Sequence, residues 1–187
     1  MVEKKIGLLG GSFNPAHSGH VQITLTGLKC FYLDEIWWLV SPGNPLKKNQ
    51  PAPLGTRIKK ASKIMDHPRV RITNIESKLS FSHTVDTVSY LKTYFPRKKF
   101  VWLMGADNLQ EIDRWKNWHR IMHTLPVGVF ARPGDQLAQL KARAARIYKS
   151  SRIPMSHSRR LADRLAPCWC YVTLPMNNLS STELRKN

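Results

Sequence analysis

His17 and His20 stand three residues apart in the run GLLGGSFNPAHSGHVQ, residues 7–22, behind Gly10, Gly11 and Pro15. The apolar residues of KIGLL, 5–9, read as a short buried strand, and Val21, Leu25 and Leu28 place one face of a helix that begins near Ser18. The pair therefore falls where a strand turns into a helix. Glycines without a Cβ permit a tight turn and let a ligand approach the backbone closely. The helix behind them offers unpaired N–H groups and the positive end of its dipole, a natural seat for phosphate. Two imidazoles three apart share one helical face. Each donates one hydrogen bond when neutral and two when charged. Such donors suit the charge that builds on a transferring phosphoryl group. Structural histidines and zinc ligation are the competing readings of the pair. For zinc, no cysteine or carboxylate lies close enough in sequence to complete a tetrahedral set, and no protein metal site is expected.

A second group of the same kind closes the chain. In LSSTELR, Leu179–Arg185, a serine or threonine (Ser180, Ser181 or Thr182) is placed to cap a last helical turn. Arg185 follows one turn on, where its guanidinium can fork onto phosphate oxygens. Taken alone, the segment equally describes an ordinary cap with a surface arginine. HRIMH, 119–123, has the histidine spacing of a zinc protease helix, but Arg120 stands where the general-base glutamate belongs.

Elements that must position these groups follow from the apolar pattern. Strands are expected at 35–42 (EIWWLVSP), about 69–74, 99–108 (KFVWLMGADN), 126–134 (PVGVFARPG) and 168–174 (CWCYVTL). Helices are expected at about 54–66, from Thr84 as N-cap with Val85, Val88 and Leu91 inward, and at 137–148 with Leu137, Leu140, Ala144 and Ile147 on one side. GNPLKKNQPAP, 43–53, reads as a loop. Strands alternating with helices every 20 to 30 residues or so mean crossover units and a mainly parallel α/β sheet. Such sheets bind ligands beyond the carboxyl ends of their strands. In CWC, Cys168 and Cys170 share one side of a strand, with packing as the default role.

The chain has 187 residues, 42% of them apolar, enough for one domain over 1–187 and too few for two full ones. A formal charge of +18 calls for an anionic partner without choosing among nucleic acid, acidic lipid and small phosphorylated substrates. The basic residues are spread out and no nucleic-acid-binding signature appears, so no specific nucleic acid is expected. The densest stretch, 139–164, sets Lys141, Arg143, Arg146, Lys149, Arg152, Arg159, Arg160 and Arg164 against Asp163 alone; it reads as a solvated face or an anion-collecting surface. Three cysteines, an odd and sparse count, suit a reducing cytosol. The N-terminal apolar run is too short for a signal peptide, and no run reaches the roughly 18 apolar residues of a membrane span. A soluble cytoplasmic protein without membrane partners is expected; the sequence admits a homo-oligomer without specifying one.

The first motif is not a Walker loop, since no GK[ST] follows the glycines, and its glycine spacing is wrong for the dinucleotide fingerprint. It resembles the H-x-G-H signature of the nucleotidyltransferase superfamily, here Gly10-Gly11-Ser12-Phe13-Asn14-Pro15-Ala16-His17-Ser18-Gly19-His20. LSSTELR resembles the I-S-S-T-x-I-R motif of bacterial nicotinate mononucleotide adenylyltransferases, with leucine in both isoleucine places. The resemblance runs nearly the full length. It implies a Rossmann-like, doubly wound fold and transfer of the adenylyl group of ATP to nicotinate mononucleotide, giving nicotinate adenine dinucleotide and pyrophosphate in NAD biosynthesis. Gly10, Gly11, Ser12, Phe13, His17, His20, Ser181, Thr182 and Arg185 would bind ATP, with His17, His20 and Arg185 as the catalytic set and Mg2+ travelling with the phosphates. On the acceptor side, SPGNP resembles the loop after the family's second strand, which implies Asn44 and Lys47 as mononucleotide contacts. SHTVDT resembles S-x-T-x-D-T, implying Thr84 at the pyridine carboxylate and Asp86 in support. GADNLQEIDRWKNW implies Asp107 on the ribose and Trp115, followed by Lys116, at the pyridine; Trp118 is left to the core. ARPG implies a phosphate contact from Arg132. A flat electron-poor ring stacks well on an indole. Phosphopantetheine adenylyltransferases share H-x-G-H but are disfavoured by the GADN…W segment and the late SSTELR. Nicotinamide mononucleotide is the nearer alternative acceptor.

Overall fold

The computed structural model describes residues 3–43, 51–131 and 140–174. Within them lie seven strands: β1 (Lys5–Gly11), β2 (Glu35–Val40), β3 (Val70–Thr73), β4 (Lys99–Gly105), β5 (Val127–Ala131), β6 (Arg152–Ile153) and β7 (Trp169–Thr173). They form one sheet in the order β3-β2-β1-β4-β5-β7-β6, and every pairing is parallel. The helices are α1 (Ser18–Cys30), α2 (Leu54–Ile64), α3 (Ile75–Lys78), α4 (Thr84–Tyr94), α5 (Ala106–Glu111), α6 (Trp118–Thr124) and α7 (Arg143–Ile147). Three 3-10 turns cover Ile112–Arg114, Lys149–Ser151 and Met155–Asp163. No helix among the described residues is long and apolar enough to cross a membrane.

The central strands read as unbroken apolar runs because both of their faces are covered. On one face, Ile6, Leu8, Phe100, Trp102 and Met104 pack with Val85, Val88 and Leu91 of α4, Trp118 of α6 and Ala144 of α7. On the other, Leu9, Val101 and Leu103 pack with Leu28 of α1, Ala61 of α2 and Leu161 of the last 3-10 turn. The sheet is thus doubly wound, as expected. Its strand order reverses between β1 and β4, and a crevice at the carboxyl ends of those two strands is the place where such sheets hold ligands.

Several expectations need correction. β1 runs on through Gly10 and Gly11, which pair with Leu39 and Val40; the glycines end the strand rather than follow it. β2 stops at Val40 rather than 42 and α2 at Ile64 rather than 66. Leu25 is 46% exposed, and α1 turns Thr24, Gly27 and Leu28 inward instead. Thr84 is the first residue of α4, not its cap; His83 holds that position. β4 ends at Gly105, so Asp107 sits in the first turn of α5. β5 covers 127–131 of the expected strand, and 132–134 lie outside the described residues. Of the helix expected at 137–148, Arg143–Ile147 is described as regular helix; Ala144 and Ala145 are buried and Ile147 is exposed. The turn of α3, the strand β6 and the 3-10 turns had no counterpart in the pattern, being too short for periodicity to register.

Cys168 and Cys170 do share one core, on the α1–α2 face. Part of the basic segment is tied down at the amino ends of the strands, away from the crevice. There Lys5 and Lys99, paired in register, both reach Asp163 at 2.6 and 3.1 Å. Arg152 lies over the rings of Trp169 and Tyr171.

Candidate active site

The turn after β1 is built by side chains that hold one another. His17 is the N-cap of α1, and its Nδ1 accepts the N–H of Gly19 at 3.0 Å. His20, three residues on, returns the contact: its Nδ1 accepts the backbone N–H of His17 at 3.2 Å. This is the reciprocal geometry of a capping box, with histidines in the places usually held by Ser or Thr and Glu or Gln. The histidines thus cap the helix whose N-terminus they were expected merely to flank. An Nδ1 that accepts a hydrogen bond carries no proton, so in each ring the donor edge of the neutral form is Nε2–H. The two rings lie 4.0 Å apart. Burial first, then the neighbouring His17, pulls the His20 pKa from 6.5 to about 3. His20 is therefore a neutral donor at physiological pH, and the charged form considered from sequence does not apply.

Packing holds that arrangement. Phe13, at a left-handed φ of 47°, is buried; it stacks on Trp38 at 4.7 Å and meets the His20 ring at a tilt of 40°, also at 4.7 Å. The Trp38 indole N–H donates to Thr24 Oγ1 at 2.8 Å, and that hydroxyl donates to the His20 carbonyl at 2.8 Å. Thr24 and Trp38 are fully buried. An indole stacked two rings away and a threonine one turn along α1 thus brace His20 from its ring side and its backbone side. Sequence reasoning named neither; an apolar β2 containing a tryptophan was the only trace.

β4 brings the second half of the crevice alongside. Leu9 pairs with Leu103, two residues before Gly11 and Gly105, so both strands end level. Gly10 is needed here for packing: a Cβ would stand 2.6 Å from the ring of Trp102 on β4. Close approach to the Gly10 backbone is thus made by an indole of the core. Trp115 meets Trp102 edge-on at 6.5 Å and is partly buried against the α4–α6 core, while Trp118 lies inside that core. The Trp102 indole N–H is buried without an acceptor among the described residues. Asp107 is exposed on the first turn of α5, where a carboxylate gains from the helix dipole, and its carboxylate covers Gly105 so closely that a Cβ there would collide with it. Lys116 is exposed beside Trp115.

Thr84 opens α4, which packs on the same face of the sheet as α5 and α6. The Glu76 carboxyl on α3 accepts the Thr87 hydroxyl at 2.9 Å, fixing that first turn from behind; burial raises the pKa of Glu76. Asn44, Lys47, Arg132, Ser181, Thr182 and Arg185 lie outside the described residues. No three His, Cys, Asp or Glu side chains among the described residues group to hold a metal ion. His119 instead bonds the Tyr148 hydroxyl at 3.0 Å through Nδ1, and the His123 ring lies against the same tyrosine.

A doubly wound parallel sheet with a histidine-capped helix at its switch point defines a Rossmann-like α/β protein built to hold a nucleotide. The chain belongs to the cytidylyltransferase-like family, whose model matches residues 8–187, and within it to the nicotinate-nucleotide adenylyltransferases. A relative from Ruegeria sp. (strain TM1040), named "Probable nicotinate-nucleotide adenylyltransferase", is 56% identical over 181 residues, 97% of this chain and 96% of the relative. One of the same name from Cereibacter sphaeroides (strain ATCC 17023) is 52% identical over 180 residues, 96% of this chain and 95% of the relative. Among solved structures, Plasmodium falciparum nicotinic acid mononucleotide adenylyltransferase complexed with NaAD shares the fold at a TM-score of 0.72 and 18% identity, covering 98% of this chain and 83% of that one.

Proposed function

We infer that this chain, acting as one domain over 1–187, joins nicotinate mononucleotide to ATP. The phosphate oxygen of the mononucleotide attacks the α-phosphorus of ATP in line; the new O–Pα bond forms as the Pα–O–Pβ bond breaks. Nicotinate adenine dinucleotide and pyrophosphate leave. The attacking oxygen is already ionised at neutral pH, so no general base is required, and catalysis is positioning plus charge stabilisation. Magnesium would come with ATP and would offset the charge of its phosphates, a role that calls for no dedicated protein cage.

The observation that carries this reading is the reciprocal histidine cap at the switch point. It turns His20 into a neutral Nε2–H donor beside an α-helix N-terminus. A donor fixed in tautomer and orientation stabilises charge on the transferring phosphoryl group without reorganising. The family resemblance assigns the turn of Gly10, Gly11, Ser12 and Phe13 to the ATP side, and Ser181, Thr182 and Arg185 to the departing pyrophosphate. On the acceptor side, Trp115 stacks on the pyridine, the N-terminus of α4 at Thr84 receives its carboxylate, and Asp107 accepts from the ribose. Asn44, Lys47, Lys116 and Arg132 are assigned by resemblance to the mononucleotide and its phosphate. A carboxylate at a helix N-terminus gains from dipole and N–H groups in a way an uncharged amide does not, which favours nicotinate over nicotinamide mononucleotide. We place the reaction in the cytoplasm, where three thiols outside any disulfide are at home.

The test offers ATP with nicotinate mononucleotide, nicotinamide mononucleotide or phosphopantetheine and measures pyrophosphate release. Turnover is expected with nicotinate mononucleotide above the other two. Faster turnover with phosphopantetheine, or none with any acceptor, overturns the reading.

A further inference from the structure

Arg57 is among the largest fully buried side chains of the described residues, 1% exposed. Burying a guanidinium is expensive unless every N–H finds a partner, and an apolar side chain of similar volume serves packing better. None of the ion pairs among the described residues includes Arg57. Its hydrogen bonds go to backbone carbonyls. Nε donates to Ala52 at 2.7 Å, Nη1 to Ser12 at 2.7 Å and to Ser41 at 2.8 Å, and Nη2 to Pro42 at 3.1 Å.

Those carbonyls lie where the sheet runs out. The last rung between β1 and β2 is the Ser41 N–H on the Gly11 carbonyl, at 3.0 Å. One residue beyond, the Ser12 and Ser41 carbonyls have no ladder to enter, and both converge on the same Nη1. Arg57 thus continues the β1–β2 pairing by one step after the strands have ended, and does so with a rigid fork that a lysine lacks. A second link runs parallel to it: the Ala52 N–H donates to Asn14 Oδ1 at 3.3 Å.

We propose that Arg57 is a positioning residue that sets the spacing between the donor loop at Ser12–Asn14 and the acceptor loop at Ser41–Gly43, tying both to the start of α2. The names of the two loops rest on the adenylyltransferase reading; the clamp itself does not. In-line transfer needs the two phosphates brought to a fixed separation, and a misplacement of about 1 Å costs on the order of 10²-fold in rate. Arg57 touches neither substrate. It acts through the carbonyls on which the two loops hang.

Arg57→Lys keeps the charge and loses the fork; Arg57→Ala loses both. Amide hydrogen exchange read residue by residue tests the clamp without any turnover. In Arg57→Lys, exchange in both segments, 12–14 and 41–43, should rise about tenfold or more, while β4 and β5 keep their protection. Activity adds a second reading: kcat should fall about 10- to 100-fold with KM for either substrate changed less than about threefold. Ethylguanidinium at millimolar concentration should restore part of the kcat of Arg57→Ala, and ethylammonium should not. Unchanged exchange at either loop, or loss of protection spread evenly through the sheet, overturns the proposal. If Arg57→Ala does not fold, the Arg57→Lys exchange decides alone. A wild-type protein with no adenylyltransfer, whose Arg57→Lys variant still shows both loops loosened, would remove the functional reading and leave the clamp standing.

Discussion

Keeping His20 neutral has a cost in acid that can be calculated and measured. Its pKa is about 3 in the fold against 6.5 in the unfolded chain. Between those values the unfolded chain binds a proton that the native protein refuses. The stability associated with neutral His20 is therefore complete above about pH 6.5 and is lost as pH falls, by about 1.4 kcal/mol per unit. From pH 6.5 to pH 5.0 the loss comes to about 2 kcal/mol, a large part of the 5–15 kcal/mol typical of a domain. The control is His20→Gln. Gln at the third helical position can accept the His17 N–H in the usual capping-box manner, and it does not titrate. Urea unfolding of both proteins at pH 7.5, 6.5, 5.5 and 5.0 then isolates the histidine. Wild type should lose about 2 kcal/mol more than His20→Gln between pH 6.5 and 5.0, and nitrogen-resolved NMR at pH 7 should find the His20 proton on Nε2. Parallel stability curves, or a His20 that titrates near 6.5 in the native state, would refute the burial argument and with it the fixed-donor role.

Four further outcomes follow from the same geometry. His20→Ala should lower kcat about 10²- to 10³-fold, as the loss of a transition-state donor does; a near-normal kcat would strip it of that assignment. Trp115→Ala should raise KM for the mononucleotide, by roughly 5- to 30-fold if stacking is worth about 1–2 kcal/mol, with KM for ATP little changed; an unaltered mononucleotide KM returns Trp115 to the core. Gly10→Ala drives a Cβ to 2.6 Å from the Trp102 ring and should destabilise by about 1–3 kcal/mol in urea unfolding, whereas Gly11→Ala, whose Cβ would meet Phe13 at an ordinary 3.5 Å, should stay within about 0.5 kcal/mol. Thr24→Val strands the buried Trp38 N–H and should cost about 1–3 kcal/mol, visible as a lower urea midpoint.

What the sequence determined by itself is what local pattern can encode. Apolar runs of KIGLL, EIWWLV and KFVWLM, separated by helical stretches, sufficed for a mainly parallel α/β sheet, because a strand covered on both faces must be apolar at consecutive positions. The glycine–histidine turn was legible because its chemistry lies within 11 consecutive residues, 10–20. Trp118 could be assigned to the core, and is buried there. Boundaries and inward faces were less legible: Leu25 and Ile147 fit the helical period and yet face solvent, since which side of a helix is covered depends on what the sheet offers it.

The tertiary structure alone decided the rest. That His20 is neutral follows from Phe13, Trp38 and the His17 N–H closing around it, and none of these is visible as a pattern. That Gly10 yields to an indole follows from Trp102, 92 positions on, being its neighbour across the sheet. That an arginine on α2 clasps the ends of two strands follows from a contact 45 residues apart in the chain. Periodicity reports which side of an element is apolar. It carries no information about which distant atom arrives there, and hydrogen-bond partners, burial and proton affinity are all set by that arrival.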